Sequence, residues 1–145
     1  MAFITPNDLR FPNGMLNLNM FRGATEQQYS DALIGYVVSA SSEVKRRVGA
    51  AAYDAPTPAQ ALIWNQAETH WAHYLGFKQL SVLASSLPVQ ASEVNLSATF
   101  PSGANLRQLA AAELLAFNTL VPPPIDDSWS LDEISSNDSE FTAEF

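Results

Sequence analysis

The stretch Thr57-Pro58-Ala59-Gln60-Ala61-Leu62-Ile63-Trp64-Asn65-Gln66-Ala67-Glu68-Thr69-His70-Trp71-Ala72-His73-Tyr74-Leu75-Gly76-Phe77-Lys78-Gln79-Leu80, continuing to about Ser85, decides the fold. Thr57 is a strong N-cap residue, and Pro58 occupies the first helical position, where a missing N–H costs nothing. Gln60, three residues after the cap, completes a capping box. Trp64, Glu68, Trp71, Leu75 and Lys78 recur at helical spacing, and Ala61, Ala67, Tyr74 and Leu80 widen the apolar side. This predicts one long helix that serves as the central packing surface. Trp64 and Trp71, two helical turns apart, bury a large area against a sister helix or a neighbouring subunit.

Upstream, Thr25-Glu26-Gln27-Gln28 forms a second capping box. Tyr29, Leu33, Tyr36, Val37, Ala40, Val44, Val48 and Ala51 follow at steps of three and four, predicting a helix to about Tyr53, roughly 40 Å long at ~1.5 Å per residue. Leu33 and Tyr36 join Trp64, Trp71 and Tyr74 as candidate helix- or subunit-packing residues. Only Asp54-Ala55-Pro56 separates this helix from the next cap, so the two helices form an antiparallel hairpin.

The flanks are less regular. Thr5-Pro6-Asn7-Asp8 opens one helical turn, and Phe11-Pro12 and Asn13-Gly14 punctuate the chain. Leu16, Leu18 and Met20 alternate with Asn17, Asn19 and Phe21, predicting a short strand over 15–21. Val94, Leu96, Ala98 and Phe100 alternate over 93–100, a second strand or extended arm. The two segments pair within one chain, or each adds to a neighbouring subunit. Asn105 caps a third helix striped by Leu106, Leu109, Ala110, Glu113, Leu114 and Phe117. Val121-Pro122-Pro123-Pro124 is a stiff spacer that closes the domain.

The predicted fold is therefore mostly α: a long antiparallel helical hairpin plus a third helix, one or two short strands or extended arms, and an extended C-terminal tail. The organisation is a helical domain over 1–121 and an acidic tail over 122–145. That tail holds seven of the fifteen acids and no Lys or Arg, while the rest carries eight acids against seven bases. A nearly neutral body with an acidic tail argues against sequence-specific nucleic-acid recognition. Trp129, Leu131, Ile134, Phe141 and Phe145 are apolar anchors in this acidic background. They describe a segment that folds on a partner, or one that packs back on its own domain.

With 145 residues, 47% of them hydrophobic, the chain has material for one domain with a core. It has no cysteine, which excludes disulfides and thiolate metal sites. No apolar run approaches the ~20 residues a membrane helix needs, and Met1-Ala2-Phe3-Ile4 followed by Thr5-Pro6 shows no leader pattern, so a soluble cytosolic product is expected.

Motifs for chemistry are sparse. Glu68, His70 and His73 spell E-x-H-x-x-H, whose i, i+3 histidines share a helix face as in helical metal sites. Glu68 and His70, however, are two apart and do not face together, and no further histidine completes a shell. The reading adopted is polar residues on a packing surface, with no metal or other cofactor. No G-x-S-x-G, G-x-G-x-x-G or G-x-x-x-x-G-K-[ST] occurs, so no enzyme activity is expected. Lys45-Arg46-Arg47, the one basic cluster, reads as a solvated helix end favoured by the helix dipole, or as a contact with DNA phosphate or an acidic surface.

The hairpin of Tyr29-Ser30-Asp31-Ala32-Leu33-Ile34-Gly35-Tyr36-Val37, a short Pro-containing link and Pro58 through Leu75 is similar to the head–tail connector (adaptor, or head-completion) proteins of tailed bacteriophages. The similarity covers roughly 25–85 and is one of pattern and size. It implies a mostly helical virion protein that forms a homo-oligomeric ring of twelve under the portal at the phage neck, assembled in the host bacterial cytoplasm. The implied partners are the portal protein, a tail or nozzle/stopper protein, and non-specific DNA passing through the channel, with no membrane. The tail, with Trp129, Leu131, Ile134, Phe141 and Phe145, would dock the portal. The long acidic tail and the extended 88–103 segment depart from many relatives. The alternatives are an acidic helical binding or inhibitor module that captures a basic partner through its tail, and, more remotely, a hydrolase built on Glu68, His70 and His73.

Overall fold

The computed structural model describes residues 2–21, 23–86 and 103–123, except for the side chains of 85 and 86. The fold is mostly helical. Its elements are α1 (Pro6–Leu9), a 3-10 turn (Leu18–Met20), α2 (Glu26–Val48), α3 (Ala50–Asp54), α4 (Pro58–Ser86) and α5 (Gly103–Leu120).

The helix starts follow the capping chemistry. Thr25 Oγ1 accepts from Gln28 N at 3.1 Å, and Thr25 N donates to Gln28 Oε1 at 2.9 Å. Thr57 and Gln60 repeat the arrangement at 3.0 and 3.2 Å. Thr5 N donates to Asp8 Oδ2 at 2.8 Å to open α1. Each reciprocal pair satisfies backbone donors that the first turn leaves orphaned. The third long helix begins at Gly103, two residues before the expected cap at Asn105.

Two further expectations are corrected. The first helix does not run unbroken to Tyr53. It stops at Val48, and Gly49 takes φ +91°, a conformation open to glycine at little cost. Gly49 N still bonds Lys45 O, and Gly49 O accepts from Tyr53 N to start α3. The apolar stripe continues across the break, which is why periodicity alone ran the helix through it. The strand over 15–21 is also absent. Arg10 and Leu16 form an isolated parallel bridge, and Asn17 then caps the 3-10 turn by accepting from Asn19 N at 3.0 Å. Among the described residues no strand pairs with this segment, and the Asn17 side chain offers its backbone a local alternative. The 93–100 arm, and the tail beyond Pro123, lie outside the described residues.

α2 and α4 are antiparallel: Tyr36 donates to Gln79, whereas Trp71 Nε1 reaches Ser39 Oγ at 3.3 Å further along α2. α5 runs antiparallel to α4 on another side: Leu106 and Ala110 share a cluster with Phe77 and Leu80, and Phe117 and Val121 share one with Trp64 and Ala67. His70 pairs with Glu113, and the Phe117 ring lies tilted against Trp71 at 4.9 Å. α4 is thus the central element. The N-terminal segment lies across the same helix. Leu16 is fully buried and sits on Gly76, where a Cβ would stand 2.8 Å from its side chain. Burying one such leucine contributes about 1.5–3 kcal/mol.

The interior forms two clusters. One gathers Ile4, Leu9 and Leu16 with Leu33, Tyr36 and Phe77, among others. The other gathers Val44, Tyr53, Trp64, Ala67, Phe117 and Val121. Trp64, Tyr74, Leu33 and Tyr36 are buried and Trp71 is half-buried, all packed within the chain itself. Among the described residues, no helix is long and apolar enough to cross a membrane.

Candidate functional site

The three residues of E-x-H-x-x-H share a helix but turn to three different neighbours. Glu68 is wholly buried. Its carboxylate accepts Phe3 N at 2.7 Å, the Ile4 backbone N–H, and the Tyr53 hydroxyl, which also lies 2.8 Å from Ser41 Oγ. Asn65 Nδ2, one turn earlier, donates to Phe3 O at 2.9 Å. The arrangement fastens the N-terminal segment to α4 and draws α3 in beside it. The Gly49 break serves this join, because α3 carries the Tyr53 hydroxyl to Glu68. Burial raises the Glu68 carboxyl above its ordinary value, against the lowering effect of its three donors. Burial first, then the bond to Glu68, pushes Tyr53 up to about 12.

His73 is also buried, and its Nε2 accepts Met15 N at 3.0 Å. A ring nitrogen that accepts a backbone N–H is unprotonated, so the imidazole is neutral with its proton on Nδ1. Burial holds its pKa below the ordinary 6.5. His70 turns instead toward α5 and pairs with Glu113 through Nδ1. Among the described residues, no three His, Asp or Glu side chains cluster as a metal shell. Each of these polar groups has a structural partner.

The basic cluster also divides. Arg47 lies nearly buried, its guanidinium 4.5 Å over the Phe117 ring, donating to Asn118 Oδ1 at 2.6 Å and Val121 O at 3.0 Å. It ties the end of α2 to the end of α5. Arg46 pairs with Glu43, and Lys45 stands 3.5 Å from Asp54. Burial alone would raise the Glu43 carboxyl, but the hydrogen bonds and charges of Arg46 and Arg47 outweigh it and hold the pKa below its ordinary value. Lys45 and Arg46 remain the solvent-facing part of the cluster.

Among the described residues, an apolar groove of about 280 Å³ is lined by Phe11, Met15, Asn17, Asn19, Met20, Phe77 and Leu109. Phe11 and Met15 stand exposed at its rim. Phe11 comes from the turn that follows α1 and Met15 from the residue before the buried Leu16, so periodicity gave no sign of the groove. Other exposed apolar side chains lie on the outer faces of the helices: Ile34 and Val38 on α2, Leu62 on α4, Leu115 on α5. The five anchors Trp129, Leu131, Ile134, Phe141 and Phe145 lie outside the described residues.

The role of Glu68 as the N-terminal fastening was missed, although a Glu on the apolar side of a helix was a usable signal, since a buried acid demands donors. The role of Arg47 was likewise hidden inside a run of three cations. Comparison with protein-family models, with curated proteins and with solved structures finds no match.

Proposed function

We propose that this chain is a head–tail connector of a tailed bacteriophage, forming a homo-oligomeric ring beneath the portal and bridging it to the tail. The observation that carries the reading is the doubly capped antiparallel pair of α2 and α4, joined through Gly49, the short α3 and a Pro-containing link. This is the stretch on which the resemblance rests, and a third helix packs along it. The described polar side chains support the reading in a second way. Glu68, His73 and Arg47 are all spent on holding the fold together, as befits a scaffold. The acidic tail docks the portal through Trp129, Leu131, Ile134, Phe141 and Phe145. The near-neutral body suits a channel through which DNA slides without adhering.

The test is the mass in solution of the full chain, and of the chain truncated after Leu120, each with and without portal protein. The expected result is that the full chain joins the portal as a high-order ring and the truncated chain does not. A full chain that ignores the portal refutes the reading. Capture of a basic protein by the tail would then favour the binding-module alternative.

A further inference from the structure

α2 presents a solvent face that is nearly its own complement. With Val38 as centre, Ile34 lies one turn before it and Ser42 one turn after, and Asp31 and Lys45 lie two turns to either side. At 100° per residue all five fall within about 40° of the Val38 direction. Asp31, Val38, Ser42 and Lys45 are exposed, and so is Ile34 at 50%, while Val38 reaches 61%. Isolated exposed apolar residues need no explanation. Here two stand on adjacent turns, flanked by opposite charges at equal distances of ~10 Å along the axis.

We propose that this face is the contact of a two-fold homodimer, with a second copy of α2 packed antiparallel across Val38. A two-fold contact requires each residue at one distance before the centre to meet the residue at the same distance after it. That rule sets Asp31 against Lys45 of the second copy, twice over. It sets Ile34 beside the second copy's Ser42, a small residue that leaves room for a branched one. A parallel pairing would instead bring Asp31 to Asp31 and Lys45 to Lys45.

The local partners do not oppose this. Asp31 accepts from Gln27 Nε2 at 2.8 Å, which leaves carboxylate acceptor sites over. The Lys45–Asp54 pair is exposed on both sides at 3.5 Å, a contact of small net value that an intermolecular partner can share. One helix on one helix buries less than the ~800 Å² per partner of a standard interface, so the dimer is weak and concentration-dependent. The proposal is independent of the connector reading, since it needs neither portal nor tail. A ring that used the same face of α2 would compete with it.

The absence of native cysteine makes the test clean. Helices packed at ~8–10 Å, with Cα atoms ~2.3 Å off each axis, place the two central Cα atoms ~4–5 Å apart, within disulfide range. Val38→Cys is therefore expected to give a disulfide-linked dimer on mild oxidation, far faster than Leu115→Cys, which places the thiol on α5. Sedimentation supplies the second arm. Asp31→Lys and Lys45→Asp alone should each weaken the dimer about tenfold, because each turns two attractive pairs into repulsive ones. An equimolar mixture of these two variants should recover dimer, since every pair across the mixed contact is again opposite in sign. A wild-type chain that stays monomeric with no preferential Val38→Cys cross-linking overturns the proposal. So does a dimer that the charge exchange leaves unmoved.

Discussion

Replacing Glu68 with alanine should remove about 2–4 kcal/mol of stability, estimated from the unmet donors and the void the change leaves. Alanine strands the Phe3 and Ile4 N–H groups and takes from Tyr53 the acceptor for its proton. Phe3 is half-buried, so water recovers part of that loss, and Ser41 remains to the Tyr53 hydroxyl. The upper end of the range therefore comes from Tyr53 and the cavity. Glu68→Gln keeps one acceptor oxygen and the shape, and should cost about 1 kcal/mol or less at pH 7. The pH dependence separates charge from packing. A carboxyl raised in the folded state binds its proton more tightly there than in the unfolded chain. Its contribution is fully present below the unfolded value near 4.5 and is lost as pH rises through the folded value. Relative to Glu68→Gln, the native chain should gain stability as pH falls from 7 into that window. Urea titrations of the three proteins across pH 7 to 4.5 measure it. A Glu68→Ala change costing under about 0.5 kcal/mol would refute the fastening role, on the scale of ordinary surface substitutions at about ±0.5 kcal/mol. A difference from Glu68→Gln that is flat in pH would instead refute the dominance of burial over the donors at this carboxyl.

His73 should behave in the opposite sense. Its pKa is depressed by burial, so its contribution is present above 6.5 and lost as pH falls through the folded value, and His73→Gln should lose less stability than the native chain from pH 7 to 5 in the same titration. Gly14→Ala would set a Cβ 2.3 Å from the Leu9 carbonyl carbon, which must move, at a cost of about 1–3 kcal/mol in urea denaturation. Gly35→Ala, in open space on α2, should stabilise by about 0.5–1 kcal/mol in the same assay. Arg47→Ala should cost about 2–3 kcal/mol through its lost bonds to Asn118 and Val121, whereas Arg46→Ala, at an exposed pair, should stay within about 0.5 kcal/mol, both read from thermal melts.

Where local chemistry and packing agreed, the fold could be read from residues alone. Thr25 with Gln28 and Thr57 with Gln60 mark the helix starts because a side chain three residues away can reach the orphaned donors whatever the rest of the chain does. The centrality of α4 was legible for a similar reason, since Trp64 and Trp71 must be covered. What escaped depended on distant partners or on one backbone angle. Leu16, Leu18 and Met20 alternate like a strand, but a strand exists only by pairing, and Asn17 turned the chain instead. Gly49 broke a stripe that hydrophobicity carried straight through, and the glycine itself was the only sign. Of the candidate site residues, Lys45, Arg46 and Arg47 are adjacent in sequence yet point to different places, because successive helical residues turn by about 100°. Glu68 met its donors more than sixty residues away at Phe3, a distance no local pattern spans.

Trp71 and Leu114 touch both interior clusters, one from α4 and one from α5. The clusters otherwise occupy opposite ends of the helices, an arrangement that in many bundles lets one end fray while the other holds. Here the same indole and the same leucine complete both, so loosening either end exposes surface that the other relies on. The domain should therefore melt in one step, with the tryptophan emission shifting once and in parallel with helix loss. Its two ends stand or fall together.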